Sequence, residues 1–127
     1  MLLSVTSICA GASAGALLRW LLSASLNALW PSVPLGTLLA NLAGGYLIGV
    51  AFAWIAANPT LPPELRLLVV TGFLGGLTTF STFSVEVVDA AQRGDLASAA
   101  TIVLLHLVGS LACTVLGIAS YSWLRAA

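Results

Sequence analysis

The chain has 127 residues, 60% of them hydrophobic and only 6% charged, with a mean hydropathy of +1.10. Soluble domains carry about 25% charged residues, so this composition excludes a water-exposed globular surface. Four arginines, no lysine and four carboxylates leave a formal charge of zero, and no nucleic-acid partner is expected.

Hydrophobic runs separated by short polar or proline-bearing breaks predict an all-α membrane protein, one transmembrane domain over residues 1–127. The four spans are Leu2–Leu26, Pro34–Ala57, Leu65–Gln92 and Ala97–Leu124. Each matches or exceeds the ~20 residues that cross a bilayer as a helix. In the first span no basic residue precedes the apolar run, which argues against a signal peptide. Cys9 there and Cys113 in the fourth span read as small buried residues rather than a disulfide. Arg19, near the end of the first span, has two readings: a side chain snorkelling to the interface, or part of a vestibule that attracts anions.

The second span carries Asn41 on the face of Gly45 and Gly49. A buried amide there is either interhelical glue or part of a polar path. The third span holds GGLTTFSTFS, residues 75–84, at its middle. Glycine costs ~1 kcal/mol in a helix interior and threonine is a weak former, so the spacing predicts a break. One half-helix would end near Gly75–Thr78 with free carbonyls, and the other would begin near Thr79–Ser81 with free N–H groups. Broken backbone at membrane depth must be satisfied by protein or water.

Phe80 and Phe83 are one turn apart beside that break. They are core packing, or they turn their positive ring edges toward a bare anion. Asp89 and Arg93 have the spacing of an i,i+4 pair, Glu86 one turn deeper has no evident partner and suits a pore mouth, and Asp95 is placed to cap the last helix. In the fourth span His106, Ser110 and Thr114 recur at four-residue spacing and form one stripe. Polar groups aligned down a membrane helix face a packed interior or a wet pathway. This stripe offers uncharged donors, which suit a small anion better than a cation.

With four spans, Arg66 and Arg125 fall on one side and Arg93 and Arg19 on the other. Orientation follows arginine and lysine excess, and here there is none. Either subtler cues fix one orientation, or the chain inserts both ways and pairs antiparallel. Small-residue pairs at Gly11/Gly15, Gly45/Gly49 and Gly72/Gly76, with Gly109/Cys113/Gly117, favour tight helix association inside or between copies. In an antiparallel pair the carbonyls at the two breaks would meet at the axis and could hold a hard cation, sodium ahead of calcium or magnesium because no carboxylate lies nearby. No nucleophile–base pair, carboxylate pair, phosphate loop or histidine cluster is present, so no enzyme is expected.

The segments GASAGALLRW (11–20), GTLLANLAGGYLIG (36–49) and TGFLGGLTTFSTFS (71–84) closely resemble the Fluc fluoride channels, also called CrcB proteins, over essentially the whole chain. The resemblance implies an antiparallel, dual-topology homodimer in a bacterial inner membrane that exports fluoride passively and confers fluoride resistance. It implies two pores per dimer and a structural Na⁺ at the axis, held by the Gly75 and Thr78 carbonyls. It assigns Phe80 and Phe83 to an aromatic box, Asn41 to a pore amide, Ser110 and Thr114 to a polar track with His106 upstream, and Arg19 to the end of helix one. Glu86 stays a vestibule candidate from the residues alone. A small multidrug transporter would need a carboxylate midway along the first span, and none is there. A purely structural subunit would explain the small-residue faces but not the stripe and the break together.

Overall fold

The computed structural model describes all residues 1–127, and its secondary structure is entirely helical. Helix α1 (Leu2–Leu26) runs into a 3₁₀ turn, Asn27–Leu29, and α2 spans Leu35–Ala57. The third span is divided into α3 (residues 63–77) and α4 (Phe80–Gln92), and α5 covers Leu96–Ala126. By length and composition there are four helices able to cross a membrane, counting α3 and α4 as one. Pro34 stands outside α2 as its cap, and α5 begins one residue earlier and ends two later than the hydrophobic run predicts.

Local chemistry accounts for the helix ends. Asn27 accepts the N–H groups of Gly36 at 2.8 Å and Thr37 at 3.2 Å, which satisfies the first turn of α2. Pro63 opens α3, where a missing N–H costs nothing. Gly94 adopts φ +80° in the turn before α5, a conformation that favours glycine. Asp95 caps α5, accepting the Ser98 N–H at 3.0 Å, and Arg93 pairs with Asp89. α3 contains one feature that composition does not suggest: residues Leu67–Leu74 are wound as a π-helix, and the Gly75 N–H reaches back to the Val70 carbonyl.

α1 lies along α3, and α5 lies along α2 and α4. The small residues make both pairings close. A Cβ on Gly11 would stand 2.7 Å from the Phe73 nitrogen, and one on Gly45 would stand 2.9 Å from the Ser110 carbonyl oxygen. Lipid gives helices no hydrophobic reason to associate, so van der Waals contact at short range supplies the attraction. The Gly11/Gly15, Gly72/Gly76 and Gly45/Gly49 faces therefore serve packing within one chain. They carry no separate argument for a second copy.

Only 21 of 127 residues are buried, and large apolar side chains such as Leu104, Val108, Leu111 and Val115 cover the outside of α5. One core cluster joins Val33, Leu38, Phe83, Ala90, Ala99 and Ile102; the other joins Ala40, Ala51, Leu74 and Leu77. The divided third span contributes to both, Phe83 and Ala90 from α4 to the first and Leu74 and Leu77 from α3 to the second.

Candidate functional site: a polar cavity beside a broken helix

The break occupies two residues. Thr78 (φ −82°, ψ 154°) and Thr79 (φ −149°, ψ 114°) are both extended, so the helix stops at Leu77 and restarts at Phe80. Two threonines suit this place: the Thr78 hydroxyl adds a second bond to the carbonyl that its own N–H already reaches, and the Thr79 hydroxyl takes up an N–H that the restarting helix leaves free. The Thr78 hydroxyl donates to the Leu74 carbonyl at 2.9 Å, and Thr79 caps α4 by accepting the Thr82 N–H at 3.1 Å.

Asn41 closes the break from α2. Its Oδ1 accepts the Thr79 N–H at 2.7 Å, while its Nδ2 donates to the Thr79 carbonyl at 3.0 Å. The same Nδ2 lies 3.0 Å from Nδ1 of His106, whose ring is 4% exposed and stacks on Phe83 at a centroid distance of 4.8 Å. Phe83 in turn meets Phe80 edge-on at 5.3 Å. The two phenylalanines are not equivalent: Phe83 is 6% exposed and belongs to the core, whereas Phe80 is 73% exposed.

These groups line one cavity of about 530 Å³ between α2, α3, α4 and α5. Asn41, Phe80, Phe83, His106, Ser110 and Thr114 all face it, together with Gly75 and Thr78. The stripe is not uniform in what it can donate. The Thr114 hydroxyl is committed to the Gly45 carbonyl at 3.0 Å and the Ser110 carbonyl at 2.9 Å, so it bridges α2 and α5. Both Asn41 donor hydrogens are likewise in use. The Ser110 hydroxyl and the His106 Nε2 take no partner within the chain.

No backbone N–H bonds to the carbonyls of Gly75 or Thr78 across the break, which leaves oxygen ligands of the kind a hard cation takes. The carbonyl between them, at Gly76, accepts Nε of Arg19 at 3.0 Å. Arg19 is therefore tied to the break and does not line the cavity. Glu86 also lies away from it. The sequence gives Glu86 no partner, but Thr37, fully buried one helix away, donates its hydroxyl to Glu86 Oε1 at 2.6 Å. Asn27, Thr37 and Glu86 thus form a polar group at the α2 N-terminus.

Sequence reasoning overlooked Thr37, Asn27 and the capping role of Thr79. A threonine 49 positions from a glutamate shows no local signal. The Thr79-to-Thr82 spacing in TTFST did carry one, as a helix-start pattern.

Fold and site together define a multi-pass, all-helical membrane protein with a polar and aromatic path beside a broken span. The family model described as CrcB-like protein, Camphor Resistance (CrcB), matches residues 6–118, and the chain belongs to that family. It is 60% identical over 125 residues to the fluoride-specific ion channel FluC of Tolumonas auensis, covering 98% of each chain. It is 58% identical to the FluC protein of Chromobacterium violaceum, covering 96% of this chain and 97% of that one. The FluC protein of Burkholderia cenocepacia strain J2315 aligns at 56% identity over the full length of both chains.

Proposed function

We propose that this protein is a fluoride-selective channel that lets fluoride leave a bacterium down its electrochemical gradient, across the inner membrane, and so confers fluoride resistance. It catalyses no chemical step. The carrying observation is the convergence of Asn41, Phe80, Phe83, His106 and Ser110 on one cavity beside the break, in a chain so similar to proteins named as fluoride-specific channels.

Fluoride holds its water tightly, so a pore has to replace that water with donors without trapping the ion. The free Ser110 hydroxyl and the His106 ring supply donors. The Phe80 and Phe83 edges supply weak positive potential in a narrow space that suits chloride poorly. Thr114 holds the α2–α5 wall in place through the Gly45 carbonyl. Arg19 and Glu86 act away from the constriction, Arg19 by fixing the Gly76 carbonyl at the break and Glu86 from the Thr37 end, as a vestibule charge. Fluoride is the anion of a weak acid: it enters as HF from acidic surroundings, dissociates inside and accumulates, so a passive leak suffices to clear it.

The working unit is an antiparallel, dual-topology homodimer with two pores. Two observations support it: Phe80 leaves most of its ring outside the single chain, and the arginines favour neither side. The Gly75 and Thr78 carbonyls, which accept no backbone N–H, would hold a Na⁺ ion between the two copies, and such an ion would neutralise the carbonyl ends of the broken helices.

Electrode-monitored efflux from liposomes loaded with fluoride tests the function, with chloride-loaded liposomes as the control. Fluoride efflux with chloride retained is the expected result. Equal flux of the two anions would defeat the assignment.

A further inference from the structure

We infer that Asn41 locks His106 in the Nε2–H tautomer, and so makes the chain's single histidine a hydrogen-bond donor to the ion in the cavity; this rests on the channel reading above. The inference starts from the break. The Thr79 N–H is a donor only, so the Asn41 atom 2.7 Å from it is the carboxamide oxygen. The other end of the carboxamide is then the NH₂ group, which donates to the Thr79 carbonyl and to His106 Nδ1, each at 3.0 Å. A ring nitrogen that accepts an N–H must present its lone pair, so in the neutral imidazole the proton sits on Nε2. A backbone discontinuity in the third span thereby sets the polarity of a side chain on the last helix.

What that proton is for follows from its surroundings. His106 lines the cavity, is 4% exposed, and its Nε2 has less than 1 Å² of accessible surface and no partner in the chain. A buried N–H without an acceptor is unfavourable, and an anion in the cavity provides one. The opposite tautomer would turn a lone pair toward the ion and repel it. Because Nε2 is covered in the single chain, an ion reaches it only when a neighbouring group shifts aside.

The chain has one histidine, so ¹⁵N-histidine labelling of the full-length protein in lipid bilayers reports this ring alone. At neutral pH the expected spectrum shows a pyrrole-type Nε2 and a pyridine-type Nδ1, with one tautomer only. Added fluoride shifts the Nε2–H resonance and equal chloride does not, while Asn41→Asp, which accepts where Asn41 donates, brings the proton onto Nδ1. A protonated Nδ1 in the native chain, a tautomer mixture, or an Nε2 indifferent to fluoride overturns the inference. In the efflux assay His106→Phe, which keeps the stacking ring but has no N–H, lowers fluoride flux by roughly tenfold or more, as loss of one hydrogen bond to a charged group predicts. His106→Gln, whose amide reaches toward the Nε2 position, recovers most of it. Native-level flux in His106→Phe also overturns the inference. Absent flux in the native chain overturns the channel reading instead, while the spectrum still decides the tautomer.

Discussion

Asn41 on α2 holds both backbone polar groups of Thr79, accepting its N–H at 2.7 Å and donating to its carbonyl at 3.0 Å. One side chain therefore does for an extended residue inside a membrane span what a helix would have done through its own ladder. Replacing Asn41 with Leu strands two buried backbone groups. The expected loss is about 3 kcal/mol of stability, taking roughly 1–3 kcal/mol for each unsatisfied group. A reversible denaturation titration in mixed micelles measures it; a variant as stable as the native chain would show that the break is satisfied some other way.

Phe80 and Phe83 separate function from folding. Phe83 is in the core beside Leu38 and Ile102, so Phe83→Ala should destabilise the chain by about 3–5 kcal/mol, as other buried phenylalanines do. Phe80 is 73% exposed, and its truncation should cost the single chain little. In the proposed pore Phe80→Ile abolishes fluoride efflux from reconstituted liposomes. Undiminished flux would remove the aromatic box from the mechanism.

Ser110 and Thr114 share a stripe but differ in what their protons do. Thr114→Val removes the hydroxyl that bridges to the Gly45 carbonyl, and it should lower stability by about 1 kcal/mol. Ser110→Ala removes an uncommitted donor and should leave the melting temperature unchanged while lowering fluoride flux roughly tenfold, the cost of one hydrogen bond to an anion. Parallel melting and efflux measurements on the two variants distinguish these outcomes; equal effects on both quantities would mean that the two hydroxyls have the same role.

Asp95 links the start of α5 to pH. Hydrogen bonds from the Ser98 side chain, and then from its N–H, hold this carboxyl below its usual value of 3.8. A lowered folded-state value means the cap's contribution is complete above the unfolded value and is lost as pH falls through the folded one. Hydrogen exchange at the Ser98 amide, corrected for intrinsic rate, should therefore accelerate only below the ordinary carboxylate range. Asp95→Ala should show the faster exchange at every pH.

Much of the architecture was written in local composition. Apolar runs of membrane length, proline and glycine at the turns, and Asp95 before the last helix are read residue by residue. The break was legible too, because Gly-Gly-Leu-Thr-Thr is poor helix anywhere. Its position was fixed less sharply: the structure confines it to Thr78 and Thr79, where the Thr79 hydroxyl caps the restarting helix and the Asn41 side chain takes up the Thr79 backbone groups. The π winding of Leu67–Leu74 had no such sign. It coincides with the stretch where α3 lies against Gly11 and Gly15.

The sequence by itself determined that this chain lives in a membrane, crosses it in four spans and carries hydroxyl, amide and aromatic groups near the middle, because hydropathy and helix propensity are local properties. Only the tertiary structure decided which of those groups remain free. Asn41 spends its hydrogens on Thr79 and His106, Thr114 spends its proton on two carbonyls, and Glu86 finds Thr37. Hydrogen bonds are directional and a donor proton already engaged within the chain is not free for another acceptor, so the supply left for an ion depends on which helices stand side by side.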